Sequence, residues 1–314
     1  MLDRRQLLVG GSALLAGTAV AAPAFAQSTR TITTDYGTYD IPADPKRVVL
    51  MGNRYDLETV LALGITPVAM GIEYTFPGSH DPNVAPWVPF DPAGIETFSM
   101  EASAEQILSF DPDLVILRGY TSEWYPDRFA ALSAVVPHVP TNMLPWRQDL
   151  ERVAAWLGRE DALARTFADY DAARDAVKAR HAALIPTARM AFGSVEPPVV
   201  WLVTTDATAP AAETLKDLGG VAMAVPAGTS VEGGWYQISP ENLGVIGQNA
   251  DAVLLWAPTR DVLDSFVAGN PLWPRLPQVE AGRALLSPNN VGNGSVYTMM
   301  ETIRLWDEVY ASLA

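Results

Sequence analysis

Apolar residues recur along this chain in two rhythms. Short unbroken apolar runs predict buried strands: RVVLM (47–51), PVAMG (67–71), LVIL (114–117), VVPHV (135–139), RMAFG (189–193), VVWLV (199–203) and DAVLLWA (251–257). Helical patterns lie between them. LETVLALG (57–64) ends on Gly64, and a helix near Ala211–Leu218 is stopped by Gly219-Gly220. Strands alternating with helices predict parallel sheets with helices on their faces. Between Gly71 and Phe98 the pattern breaks down, and Pro77, Pro82, Pro86, Pro89 and Pro92 predict a long irregular connection.

One helix is longer than the rest. Leu163, Phe167, Tyr170, Val177, His181 and Leu184 share one helical face, which predicts a helix over 160–184 stopped by Pro186. The strand–helix alternation runs before it and restarts after it. We therefore expect two Rossmann-like α/β lobes joined by one long helix, with a ligand cleft between them. The expected boundaries are residues 27–157 for the first lobe, 158–185 for the linking helix and 186–314 for the second. A small device also occurs twice. SAEQILSFDPDLVIL (103–117) and SPENLGVIGQNADAVLL (239–255) each carry a Ser, a Glu two residues later, and an apolar strand led by Asp. Ser103 with Gln106 reads as a capping box, and Ser239 with Pro240 as a cap followed by a first-turn proline. Both place a glutamate, Glu105 or Glu241, in the first turn of a helix.

The first 26 residues stand apart. Asp3-Arg4-Arg5-Gln6 precedes a short apolar run from Leu7 to Ala22, and Ala24-Phe25-Ala26 offers an A-x-A cleavage site. This reads as a secretory signal peptide, and its paired arginines resemble a twin-arginine export signal. The chain has no cysteine, so it has neither disulfides nor a cysteine for lipid attachment. A soluble periplasmic protein is the expectation. The net charge of −15 argues against nucleic acid or an anionic bilayer as partner.

The chemistry-bearing residues point to binding rather than catalysis. No G-x-S-x-G elbow and no glycine-rich phosphate loop occurs, and no cysteine nucleophile is possible. His80, His138 and His181 lack partners at metal-ligand spacing, so no metal site and no cofactor is expected. His181, on the apolar face of the long helix, reads as a packing residue. Aromatics and arginines instead gather at the ends of the predicted strands, where α/β sheets place their ligands. Arg54 follows the first strand, Tyr74 begins the long connection, Arg118, Tyr120 and Trp124 follow LVIL, and Trp235-Tyr236 precede the second copy of the repeated device. Thr204, Thr205 and Asp206 follow VVWLV. Rings supply contact area and guanidinium supplies forked donors, which suits a large, oxygen-rich anionic ligand.

These residues also carry a resemblance. IPADPKRVVLMG, LETVLALGITPVAMG, SAEQILSFDPDLVIL, LGREDALARTFADYDA, DLGG, SPENL and NPLWPRLPQVEAGR occur in the order seen in periplasmic binding proteins of ABC importers. The chain is similar to the group that binds ferric siderophores, haem and cobalamin. The resemblance implies a monomer that captures a metal chelate between two lobes and hands it to a dimeric inner-membrane permease. It implies that Glu105 and Glu241 dock onto basic pockets of that permease, and that Tyr120 and Trp235 contact the ligand. Arg54 stands where hydroxamate binders place an aromatic, and NNVGNGS (289–295) replaces the family's late aromatic pair. Arg54 and Arg118 would suit a carboxylate or catecholate siderophore. A ferric siderophore is the leading ligand, with cobalamin or haem as the alternative and a periplasmic enzyme as a distant one.

Overall fold

The computed structural model describes residues 28–52, 54–72, 86–89, 94–99, 102–118, 130, 132, 137–141 and 144–314. The predicted signal segment lies outside them, as do Tyr74, Tyr120 and Trp124.

Two α/β lobes are joined by one long helix. A short antiparallel hairpin, β1 (Thr29–Thr34) with β2 (Gly37–Pro42), precedes the first lobe and is the one sheet that the apolar runs did not reveal. The first lobe is built on a parallel sheet of β3 (Val48–Met51), β4 (Ala69–Ile72), β5 (Glu96–Ser99), β6 (Leu114–Arg118) and β7 (His138–Thr141). Its strand order is β5-β4-β3-β6-β7. The chain moves outward from β3 and then returns to the other side at β6. The crevice at the carboxyl ends of β3 and β6 is therefore a topological switch point. Helix α1 (Arg54–Ala62) follows β3, α2 (Ala104–Leu108) precedes β6, and α3 (Trp146–Leu157) follows β7.

Helix α4 (Glu160–Arg180) links the lobes. Glu160 and Asp161 in its first turn and Lys178 and Arg180 in its last complement the helix dipole. It ends at Arg180, one turn before the sequence predicted, and spans roughly 31 Å at 1.5 Å per residue. His181 closes it. Its imidazole lies 2.8 Å from the Asp307 carboxylate and stacks on Tyr310, so it packs as expected.

The second lobe has the same strand order in mixed directions. It comprises β8 (Arg189–Glu196), β9 (Val199–Val203), β10 (Val221–Ala222), β11 (Trp235–Ile238), β12 (Ala252–Trp256) and β13 (Ala284–Ser287), ordered β11-β9-β8-β12-β13 with β10 beside β8. Strands β12 and β13 run parallel to β8, but β9 is antiparallel to both β8 and β11. A fully parallel sheet was expected. The two-residue link Pro197-Pro198 is the reason: a connection this short can only form a hairpin, since a parallel crossover needs a dozen residues or more. Helix α5 (Pro210–Leu218) starts on Pro210 and stops at Gly219, whose φ of 81° suits glycine. Helices α6 (Gly244–Asn249), α7 (Arg260–Gly269) and α8 (Pro277–Glu280) follow, and α9 (Val296–Ala311) comes after β13.

One apolar core serves both lobes. It runs from Val48, Leu50 and Leu57 through Trp146, Tyr170 and Trp306 to Phe192, Leu254 and Trp256. Two further cores cover the outer sheet faces, one around Val49, Met51 and Ile107, the other around Val253, Leu255 and Tyr236. The helices between the sheets are thus buried against both lobes. No helix among the described residues is long and apolar enough to cross a membrane.

Candidate functional site

The carboxyl ends of the parallel strands in the two lobes meet around Arg54. Arg54 opens α1 directly after β3, and it is buried. Its Nη2 donates to the carbonyls of Asn290, at 2.7 Å, and Asn293, both in the loop after β13. Its Nε lies 3.7 Å from a Glu58 carboxylate oxygen, and the guanidinium sits 5.8 Å from the Trp87 ring centroid. The guanidinium expected to meet a ligand is therefore engaged by carbonyls of the other lobe and by its own helix. Arg54 bridges the lobes at the floor of the crevice.

Glu58, one turn later on α1, completes the bridge. Oε2 accepts from the backbone amides of Ser295 and Thr298, at 2.8 and 2.9 Å, and Oε1 accepts from the Thr298 hydroxyl at 2.6 Å. These amides open α9. Burial pushes the Glu58 carboxyl up, while Arg54 and the three donors hold it back towards the charged form. Trp87 Nε1 also donates to the Thr298 hydroxyl oxygen, at 3.1 Å. Gly294, with φ of 152°, is tightly hemmed in: a Cβ there would lie 2.1 Å from Thr298 Oγ1.

Trp235 and Tyr236 part company. They are neighbours on a strand, so their side chains point to opposite faces. Trp235 is half-buried and meets Trp256 edge-to-face, with ring centroids 6.4 Å apart. Trp256 closes β12, and its indole is close enough to Gly292 that a Cβ there would lie 2.9 Å from Nε1. Trp235 therefore lies on the side of the sheet that faces the first lobe. Tyr236 is buried in the outer core, where desolvation pushes its hydroxyl up to about 12. Its expected place in the cleft is corrected: strand alternation lets only one of the pair face inward. Thr204–Asp206 follow the antiparallel strand β9, and the Thr204 amide donates to the Gly234 carbonyl at 2.8 Å, which sets this turn beside Trp235. Arg118 is the last residue of β6, across the switch point from Arg54, and its side chain lies outside the described residues.

The repeated device occupies equivalent places in the two lobes, just before β6 and just before β12. Glu105 and Glu241 are both exposed. The Ser103 hydroxyl oxygen accepts from the Gln106 amide at 3.3 Å, which is the N-cap half of the expected capping box. The Glu105 backbone amide and the Ser103 hydroxyl hold the Glu105 carboxyl below its ordinary range. The second copy differs. Glu241 sits in a single 3-10 turn, Pro240–Asn242, and Ser239 makes no side-chain cap bond. The Asn242 amide instead donates to the Ser239 carbonyl at 2.9 Å, which leaves the hydroxyl nothing to cap.

Glu213 is half-buried on α5, the first helix of the second lobe. Burial first, then the neighbouring Asp217 charge, push Glu213 up to about 7, while the Trp146 amide and Lys216 pull the other way. The unfolded chain has this group near 4.5. Between those values the folded protein binds the extra proton, so this group's contribution to stability falls as pH rises from about 4.5 to about 7. Half-burial limits the effect to about 1–2 kcal/mol. Thermal melts of the wild type and E213Q between pH 5 and pH 8 should show it: glutamine carries no titrating proton and removes this part of the pH dependence.

Among the described residues no group of three His, Cys, Asp or Glu is placed to hold a metal ion. A cavity of about 400 Å³ lies between α4 and α9, lined by Trp87, Thr166, Tyr297, Met300 and Arg304. Arg304 there is already paired with Glu301 and Glu308.

Two lobes, one linking helix and facing switch points define a bilobal solute-binding fold. The sequence profile of the Periplasmic binding protein family matches residues 49–290, and the chain belongs to that family. Solved structures share the fold at low identity. A periplasmic solute binding protein from Mycobacterium smegmatis is 18% identical, with 91% of this chain and 97% of that one covered at a TM-score of 0.68. A component of a Fep/Fec-like ferrichrome ABC transporter from Bacillus subtilis is 19% identical, covering 88% and 98% at 0.70. SirA of Staphylococcus aureus, solved with staphyloferrin B, is 20% identical, covering 91% and 98% at 0.64. No curated protein sequence matches.

Proposed function

We propose that this chain is the periplasmic solute-binding component of an ABC importer for a ferric siderophore. In this reading it is exported by its first 26 residues, captures the ferric chelate between its lobes as a monomer, and delivers it to an inner-membrane permease dimer without chemical change. The observation that carries the reading is the pair of exposed glutamates, Glu105 and Glu241, at equivalent places before the fourth main strand of each lobe. A permease with two-fold symmetry presents two equivalent sites, and a monomer meets both only with two similar surfaces. The siderophore class is supported by the ferrichrome-transporter component and by SirA, which share the fold.

Trp235 is the described aromatic best placed to line the cleft, with Tyr120, Trp124, Tyr74 and Arg118 proposed around it. Arg54 supports the floor in this reading, and Tyr236 has no contact with the ligand. Tryptophan-quenching titrations with a panel of ferric siderophores test the assignment. W235A should bind the preferred chelate roughly tenfold more weakly while keeping its fold, because a central aromatic contributes most of the energy at its contact. Unchanged affinity in W235A would move the site elsewhere.

A further inference from the structure

The two copies of the repeated device reach the same outline by different means, and the second is short of internal support. In the first, the Ser103 hydroxyl takes the Gln106 amide, so Glu105 sits in a helix that caps itself. In the second, Glu241 lies in a single turn, Ser239 makes no side-chain cap bond, and the Leu243 amide reaches the Pro240 carbonyl only at 3.5 Å. That carbonyl belongs to the peptide bond that joins Pro240 to Glu241. A second donor reaches it from elsewhere in the lobe. The side-chain amide of Asn270, buried at the end of α7, donates to the Pro240 carbonyl at 3.3 Å.

Asn270 is itself held in place. Its side-chain oxygen accepts from the Leu272 amide at 3.0 Å, and its backbone carbonyl accepts from the Trp273 amide at 3.2 Å. The acceptor role towards Leu272 fixes which end of the side chain faces Pro240. Trp273 is buried in the outer core, edge-on to Phe266 with ring centroids 5.5 Å apart. Farther along, Gln278 donates to the Ala250 carbonyl at 2.6 Å, and a Cβ on Gly247 would lie 3.2 Å from Pro277 Cδ. Residues 270–278 therefore form a rigid brace along α6 and the turn before it.

We propose that Asn270 is the positioning residue for Glu241. Its amide fixes the turn, and hence the direction of the exposed carboxylate, which is the task that Ser103 performs inside the first device. A partner with two equivalent sites needs both glutamates at set angles. The first lobe sets its angle locally, and the second borrows it from a residue 30 positions beyond Pro240. That the fixed carboxylate serves docking rests on the function proposed above; the hold of Asn270 on the turn does not.

N270D is the discriminating variant. Its ionised carboxylate still accepts from the Leu272 amide but has no hydrogen to give to Pro240. Hydrogen exchange read by mass spectrometry on the purified protein, without ligand, measures the hold. The peptide covering 239–249 should exchange roughly three- to tenfold faster in N270D than in wild type, the equilibrium worth of one hydrogen bond. The peptide covering 103–109 should not change, whereas a general loosening of the fold would move both. N270A should show the same local rise, and it decides where N270D does not fold. Equal exchange over 239–249 in wild type and a folded variant overturns the proposal, as does an equal rise over 103–109. Uptake assays in cells then separate positioning from docking. N270D should lower chelate uptake in the wild-type and E105A backgrounds and cause no further loss in E241A, where no carboxylate is left to position. An equal loss in the E241A background overturns the positioning role. If E241A itself transports normally, the docking reading fails, while the exchange result still decides whether Asn270 holds the turn.

Discussion

Replacing Glu58 by alanine is expected to destabilise the protein by about 3–5 kcal/mol, the cost of stripping one partner from a buried ion pair. Three donors lose their acceptor at once: the Ser295 and Thr298 amides and the Thr298 hydroxyl. Arg54, buried beside them, loses its carboxylate. The start of α9 then has no cap from either lobe. Chemical denaturation followed by circular dichroism measures the loss. E58Q should cost much less, since its oxygen can serve the two amides and its amino group can donate to the Thr298 hydroxyl. A near-neutral E58A would mean that water replaces the carboxylate as acceptor without penalty.

The second large effect belongs to transport. In the proposed function, E105A/E241A should lose iron-chelate uptake by more than roughly tenfold, because both charge-assisted contacts to the permease disappear together. Each single variant should lose less, as the other lobe still docks. E105K and E241K should be worse than the alanines, since a lysine adds repulsion against basic pockets. Chelate affinity and thermal melting should not change, because both side chains are exposed and the proposed ligand contacts lie on other residues. Uptake assays in cells carrying the variants, alongside binding titrations, separate the two readouts. Normal uptake by the double variant would end the docking explanation of the repeated device.

Much of the architecture was legible because buried strands and amphipathic helices leave periodic patterns. RVVLM, LVIL, RMAFG and DAVLLWA each became a strand, and the apolar face of α4 announced the link between the lobes. Strand direction was less visible. Only the shortness of the Pro197-Pro198 link hinted that β9 turns back. The β1–β2 hairpin escaped because short strands rich in threonine and glycine lack an apolar run. At the site, alternation along a strand already separated Trp235 from Tyr236, so that correction could have been made from sequence. Arg54 and Glu58 sit four residues apart on a helix and could have been read as an ion pair. Their true partners, Asn290 to Thr298, lie in the other lobe, and no local pattern reveals them.

The central claim is reversible capture of a metal chelate, and isothermal titration calorimetry tests it most directly. Mature protein would be titrated with ferric carboxylate, catecholate and hydroxamate siderophores, haemin and cobalamin, and the released ligand weighed by mass spectrometry. The account predicts that a ferric siderophore binds at one per chain, more tightly than haemin or cobalamin, and is recovered chemically unchanged. Failure of every ferric siderophore to bind, or recovery of a cleaved product, would contradict it.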